Sequence, residues 1–188
     1  MEIEKTFIKD LLIIKPDVFN DDRGYFFESF NKIKYEKLGI DFSFVQDNIS
    51  KSNYGTVRGL HYQVRDFAQG KLCSVLKGKV LDVAVDIRFG SPTFGKYFSV
   101  ELSSDNKFQF WIPPGFAHGF SVLSDEVVFH YKCTNFYNKE SERCIIYNDK
   151  DLLIDWKVNS MIVSEKDLLG KNFKDINKDF FYKNNEEE

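Results

Sequence analysis

The chain has 188 residues, 43% hydrophobic and 29% charged, a balance that fits a single soluble domain (1–188) with a full core. Its net charge of −3 comes without any basic run, which excludes the electrostatic footprint of a nucleic-acid binder. No stretch has the pattern of a secretory leader or approaches a membrane span, so the expectation is a cytoplasmic protein without a membrane partner.

Aromatic residues reach 16%, with 20 Phe and 9 Tyr, rings that suit the space between packed β-sheets. Apolar residues between Ile3 and Ile14 predict an early strand, closed by Pro16. Asn20 to Gly24 has turn composition, and residues 25–30 read as a short aromatic strand. Helical spacing follows over 31–38, with Gly39 placed to end it. Residues 42–48 predict a strand and 50–55 a polar loop. Strands then come in quick succession over 57–63, 72–76, 80–88, 97–102, 108–112, 116–123, 126–134 and 143–147. In 80–88 the alternation is clear: Leu81, Val83, Val85 and Ile87 on one face, Asp82, Ala84, Asp86 and Arg88 on the other. Many short strands without interleaved helices predict an all-β sandwich or barrel. Beyond Asp149 short helical patterns take over, and the acidic end over 183–188 is expected to fray.

The segment from Val57 to Gln63 holds an arginine, a histidine and a glutamine. Strict alternation sets Val57, Gly59, His61 and Gln63 on one face, and Gly59 leaves room beside His61 for a ligand. His118 has small neighbours, Ala117 and Gly119. Alternation turns Tyr131 inward with Val127, Phe129 and Cys133, and His130 outward with Glu126 and Lys132. On spacing alone Tyr131 reads as a core tyrosine, Lys71 as an edge lysine, and Asp167 as the acid of a capping box begun by Ser164. The unclustered cysteines Cys73, Cys133 and Cys144 argue against a disulfide framework and against a cysteine zinc site. Gln63, two residues past His61, is a poor metal ligand, so no metal is expected. There is no Gly-rich phosphate loop and no Gly-x-Ser-x-Gly.

Taken together, these segments resemble the dTDP-4-dehydrorhamnose 3,5-epimerase family of cupin-type sugar-nucleotide epimerases. The likeness runs through Asp22-Arg23-Gly24-Tyr25-Phe26-Phe27-Glu28, Gln46-Asp47-Asn48, Arg58-Gly59-Leu60-His61-Tyr62-Gln63, Gln69-Gly70-Lys71, Gly115-Phe116-Ala117-His118-Gly119-Phe120, Tyr131 and Ser164-Glu165-Lys166-Asp167. Departures are small: Val64 to Phe67 lacks prolines common there, and Lys150 and Lys157 stand where proline often follows.

The resemblance implies a double-stranded β-helix (a cupin-like jelly roll) with short peripheral helices, working as a homodimer without a cofactor. The implied substrate is dTDP-4-dehydro-6-deoxy-glucose, inverted at C3 and C5 on the way to dTDP-rhamnose. His61 would be the base, Asp167 its support, Lys71 the enolate stabiliser and Tyr131 the acid of the opposite face. Arg23, Glu28, Gln46, Asp47, Asn48, Arg58, His118, Tyr137, Glu142 and Lys166 would bind the substrate. A one-carbon epimerase, a 3,4-ketoisomerase, a non-catalytic sugar-binding jelly roll and a metal-dependent cupin enzyme are the competing expectations.

Overall fold

The computed structural model describes residues 1–183, so the acidic end at 184–188 lies outside the described residues, and of the expected frayed segment only Lys183 is within them. Alternating side chains turn the chain into short antiparallel strands. They are β1 (Glu2–Lys5), β2 (Leu12–Lys15), β3 (Val18–Asp21), β4 (Gly24–Phe27), β5 (Gln46–Asn53), β6 (Val57–Gln63) and β7 (Lys71–Lys77), then β8 (Lys79–Asp86), β9 (Tyr97–Ser103), β10 (Gln109–Ile112), β11 (Phe116–Val122), β12 (Glu126–Cys133) and β13 (Glu142–Cys144). A six-stranded sheet runs β1-β2-β10-β7-β12-β5, and a five-stranded sheet runs β13-β6-β11-β8-β9. The β3–β4 hairpin stands apart from both. The architecture is an all-β jelly roll, with helices α1 (Lys32–Glu36) and α2 (Glu165–Leu168) at its periphery.

Two apolar layers hold it. Between the sheets, Val75, Leu102, Phe110, Phe120, Val122 and Phe129 are buried together. Each such side chain contributes roughly 1.5–3 kcal/mol of transfer free energy. On the other side of the five-stranded sheet, Val57, Leu60, Leu81, Val83 and Val85 pack against Ile145, Leu152, Trp156 and Val158 of the C-terminal segment. Because β8 is covered on both faces, the polar face read from its alternation is buried rather than solvated. Asp82 and Asp86 are both fully buried. Asp86 is held by the Arg88 guanidinium at 2.8 and 2.9 Å, Ser91 Oγ at 2.6 Å and Thr93 Oγ1 at 2.7 Å. Burial works against its ionised form, but these donors outweigh it and hold the carboxyl below its ordinary range.

The sequence expectations shift in three places. The single early strand is two, β1 and β2, paired with each other. The strand expected over 42–48 starts at Gln46 and continues to Asn53, through the first four residues of the expected polar loop. Polar composition hid this: Ser50 and Ser52 alternate with exposed Ile49, Lys51 and Asn53, and their backbone pairs with β12. Lys157, where proline often stands, has φ of 58°, a conformation closed to proline.

The third shift is in β6. Its register against β11 runs Val57↔Ser121 and Arg58↔Phe120, but resumes at His61↔His118. Gly59 and Leu60 thus oppose Gly119 alone, which is a β-bulge. The extra residue turns Val57 and Leu60 toward the C-terminal segment. It also puts Arg58 on the side of His61, not on the opposite face as strict alternation requires. The room at Gly59 is filled by backbone, not by a ligand: a Cβ there would lie 2.6 Å from Gly119 Cα and from His118 O, and its φ is 114°.

Two outcomes follow. Gly59→Ala must shift the bulge and should lower unfolding stability by about 1–3 kcal/mol, read as a drop in the urea midpoint; an unchanged midpoint contradicts the close approach. Asp86, with its folded pKa depressed, contributes stability above the ordinary carboxyl value of 3.8 that is lost as pH falls through the lower folded value. The wild-type urea midpoint should therefore fall more steeply across that acid window than that of Asp86→Asn, which has no carboxyl to protonate.

Candidate active site

A cavity of about 260 Å³ opens between the ends of the two sheets. The five-stranded sheet contributes His61 and Gln63 from β6 and Glu142 from β13. The six-stranded sheet contributes Gln46 and Asn48 from β5, Lys71 from β7 and Tyr131 from β12. Tyr137, in the loop after β12, closes one side.

His61 is held from behind. Its Nε2 lies 2.6 Å from Asp167 Oδ1. Asp167 is only 3% exposed and accepts a second bond from the Gly59 N–H at 3.3 Å. Burial pushes its carboxyl up, but the His61 bond, the His61 charge and the Gly59 N–H outweigh it and keep it below the ordinary range. An ionised Asp167 accepts from Nε2–H, so in the neutral ring Nδ1 is the nitrogen that carries the lone pair. The capping reading is half met: Ser164 Oγ accepts from the Asp167 N–H at 3.1 Å and starts α2. The Asp167 carboxylate meanwhile reaches His61, on a strand more than a hundred residues earlier.

On the facing sheet, Tyr131 is inward and packs on the inter-sheet core, as alternation predicts. Burial, with the Cys133 and Cys73 thiols, pushes its phenol up to about 12, opposed by the Arg58 guanidinium. The Lys71 ammonium stands 5.8 Å from the Tyr131 ring centroid. Arg58 donates to Ser52 Oγ on β5 at 3.0 Å. His118 faces His61 in register and is buried, with Nε2 2.6 Å from Asp82 Oδ1. Its burial lowers its basicity, against the pull of Asp82. At the rim, Glu142 accepts from Lys166 Nζ at 2.5 Å and from Tyr137 Oη at 3.0 Å. Gln46 accepts from the Tyr137 N–H at 3.0 Å.

Three expected substrate-binding residues stand elsewhere. Arg23 lies on the β3–β4 hairpin, its side chain 90% exposed and paired with Asp21. Glu28 pairs with Lys34 at 2.6 Å. Asp47 alternates with Gln46 and Asn48, so it points outward, to Lys132 at 2.9 Å. Sequence reasoning passed over Gln69, which lines the cavity, and Asp82, whose signal was the interrupted apolar pattern of β8. It also read the cysteines as unclustered. In space Cys73 and Cys144 each sit beside a histidine and an aspartate. Among the described residues no helix is long and apolar enough to cross a membrane.

With this geometry, comparison with known proteins is specific. Residues 5–175 match the family model described as dTDP-4-dehydrorhamnose 3,5-epimerase. The curated dTDP-4-dehydrorhamnose 3,5-epimerase of Shigella flexneri is 54% identical over 182 residues, covering 96% of this chain and 99% of that one. A crystal structure of the enzyme of that name from Elizabethkingia anophelis has a TM-score of 0.89 at 58% identity, covering 93% of this chain and 97% of the other. The dTDP-6-deoxy-D-glucose-3,5-epimerase of Legionella pneumophila, solved in complex with dTDP-4-keto-L-rhamnose, has a TM-score of 0.94 at 51% identity, covering 97% and 99%. A match along nearly the whole chain, on a jelly roll that gathers His61, Lys71 and Tyr131 at one cavity with Asp167 behind His61, makes this chain a member of the dTDP-4-dehydrorhamnose 3,5-epimerase family.

Proposed function

We propose that the protein converts dTDP-4-dehydro-6-deoxy-D-glucose to dTDP-4-dehydro-L-rhamnose by inverting C3 and C5. One observation carries the reading: a base-competent imidazole and a protonated phenol line one cavity from opposite sheets. Inversion needs a proton removed from one face of the sugar and returned to the other.

Both carbons lie α to the C4 ketone, so losing a C–H proton leaves an enolate. His61 Nδ1 takes that proton, while Asp167 holds the ring and stabilises the imidazolium that forms. Lys71 stabilises the charge that develops on the C4 oxygen, a role in which a pre-placed cation is usually a large contributor. Tyr131 returns a proton from the far side. Its phenol, pushed up to about 12, stays protonated at neutral pH. The phenolate and imidazolium left behind reset through solvent before the second carbon reacts.

Gln46, Asn48, Tyr137 and Glu142 line the cavity as sugar-binding groups. Lys166 sets Glu142, Arg58 faces the diphosphate from β6, and His118 supports the wall behind His61. Arg23 and Glu28 fit a homodimer in which the exposed hairpin serves the partner's cavity. Phe19 and Phe26 on that hairpin are 64% and 70% exposed, an apolar surface suited to a second copy. Asp47 binds no substrate in this scheme; its outward pair with Lys132 ties β5 to β12.

In deuterated water, wild type should place deuterium at both C3 and C5 of the product, and label at C3 alone would sink the two-carbon reading. His61→Ala should lose exchange at both positions by roughly 10²–10⁴-fold with an unchanged unfolding midpoint, and full exchange in that variant would remove His61 as the base. Mixing inactive His61→Ala with inactive Arg23→Ala subunits should restore activity through heterodimers that keep one intact cavity. No recovery after subunit exchange would place Arg23 in its own subunit's chemistry.

A further inference from the structure

Cys144 takes no part in the chemistry above, yet its strand pairs it directly with His61. Its Sγ, a ring nitrogen of His61 and a carboxylate oxygen of Asp167 all lie within 4.8 Å of one another. Thiolate, imidazole and carboxylate are the ligands that thiophilic divalent cations select. We propose that Cys144, His61 and Asp167 form an inhibitory site for such a cation, with zinc and cadmium as its class and water in the fourth position.

The geometry is close to what coordination needs. Bonds of about 2.0–2.3 Å in a tetrahedral site set ligand atoms roughly 3.3–3.8 Å apart. The cluster therefore contracts by at most about 1 Å, while the 2.6 Å His61–Asp167 contact opens by roughly 0.7 Å or more. The local charge favours a cation. Burial, then Asp167 and Glu142, push the Cys144 thiol up to about 12, with Lys166 opposing. The carboxylates that disfavour a bare thiolate favour a metal-bound one. Binding therefore displaces the thiol proton to solvent as the metal–sulfur bond forms, while His61 gives its Nε2 lone pair as the Nδ1–H tautomer.

Access distinguishes this cluster from a second one. Cys144 lines a cleft of about 150 Å³ with Leu169 and Lys171, which shares Tyr62 and Glu142 with the cavity in which His61, Lys71 and Tyr131 meet. Cys73, Asp82 and His118 also gather ligand atoms within 4.8 Å, but all three are buried and offer a metal no route in. A cation entering beside Cys144 takes the imidazole nitrogen that Asp167 now grips and holds the Nδ1 proton in place. Nδ1 then has no lone pair for the sugar. The inhibitory consequence rests on His61 being the base; the binding does not.

The test uses full-length protein and cadmium alone. Wild type should develop a thiolate-to-cadmium charge-transfer band in the ultraviolet at one metal per subunit, erased by a chelator. Cadmium should also protect Cys144 from alkylation, read by mass on its peptide. Zinc should lower kcat of wild type with little change in KM. Cys144→Ser should keep its basal turnover, lose the band and need at least about tenfold more zinc for half-inhibition. An equal band in Cys144→Ser, or alkylation of wild-type Cys144 at the same rate with and without cadmium, overturns the site. A band and protection without inhibition would uphold the site and count against His61 as the base. Should Cys144→Ser lose its fold, the alkylation readout on wild type decides alone.

Discussion

The hydrogen bond between His61 and Asp167 ties the active strand to the tail of the chain. An imidazole at the mouth of a cavity has no preferred tautomer by itself and little reason to hold one rotamer. A carboxylate 2.6 Å behind it settles both. That carboxylate is where it is because the C-terminal segment packs its own apolar side chains, Leu152, Trp156 and Val158, on the back of the five-stranded sheet. Trp156 adds polar ties: its Nε1–H donates to Tyr147 O at 2.8 Å, and its carbonyl accepts from Ser121 Oγ at 2.6 Å. Asp149 accepts from the N–H groups of Asp151, Leu152 and Phe173 and so folds the segment back. Packing that looks structural thus orients the His61 ring at the cavity.

The same strand carries a second constraint. Gly59 and Gly119 let two backbones approach more closely than any side chain permits. The bulge this creates brings Arg58 and His61 onto one side of β6. A regular strand would have turned one of them into the apolar layer under the C-terminal segment, at the cost of a buried, unpaired guanidinium or imidazole. The glycines are therefore part of the site, Gly59 also through its N–H bond to Asp167.

How far the site was legible differs residue by residue. Tyr131 was placed inward correctly, because it shares a strand face with Val127, Phe129 and Cys133 and that periodicity reports burial directly. The capping role of Ser164 was legible because it is local. The reach of Asp167 was not, since a capping acid and an acid aimed at a distant imidazole have the same local sequence. Asp47 between Gln46 and Asn48 shows the opposite case: family likeness groups the three, while the pleat turns the middle one outward. Arg23 shows a third, because it lies on a hairpin that pairs with neither main sheet, so no strand pattern could place it at the cavity.

The sequence by itself determined the family and the β-rich class, because motif order, aromatic content and two-residue alternation are written along the chain. Tertiary structure alone decided which of those groups meet. It added the bulge that turns Arg58 beside His61, the tail that delivers Asp167, and the cross-strand pairing that sets the Cys144 thiol near both. The physical reason is the same in each case: these contacts join residues far apart in sequence, and their geometry follows from how sheets and segments pack rather than from the pattern of any one strand.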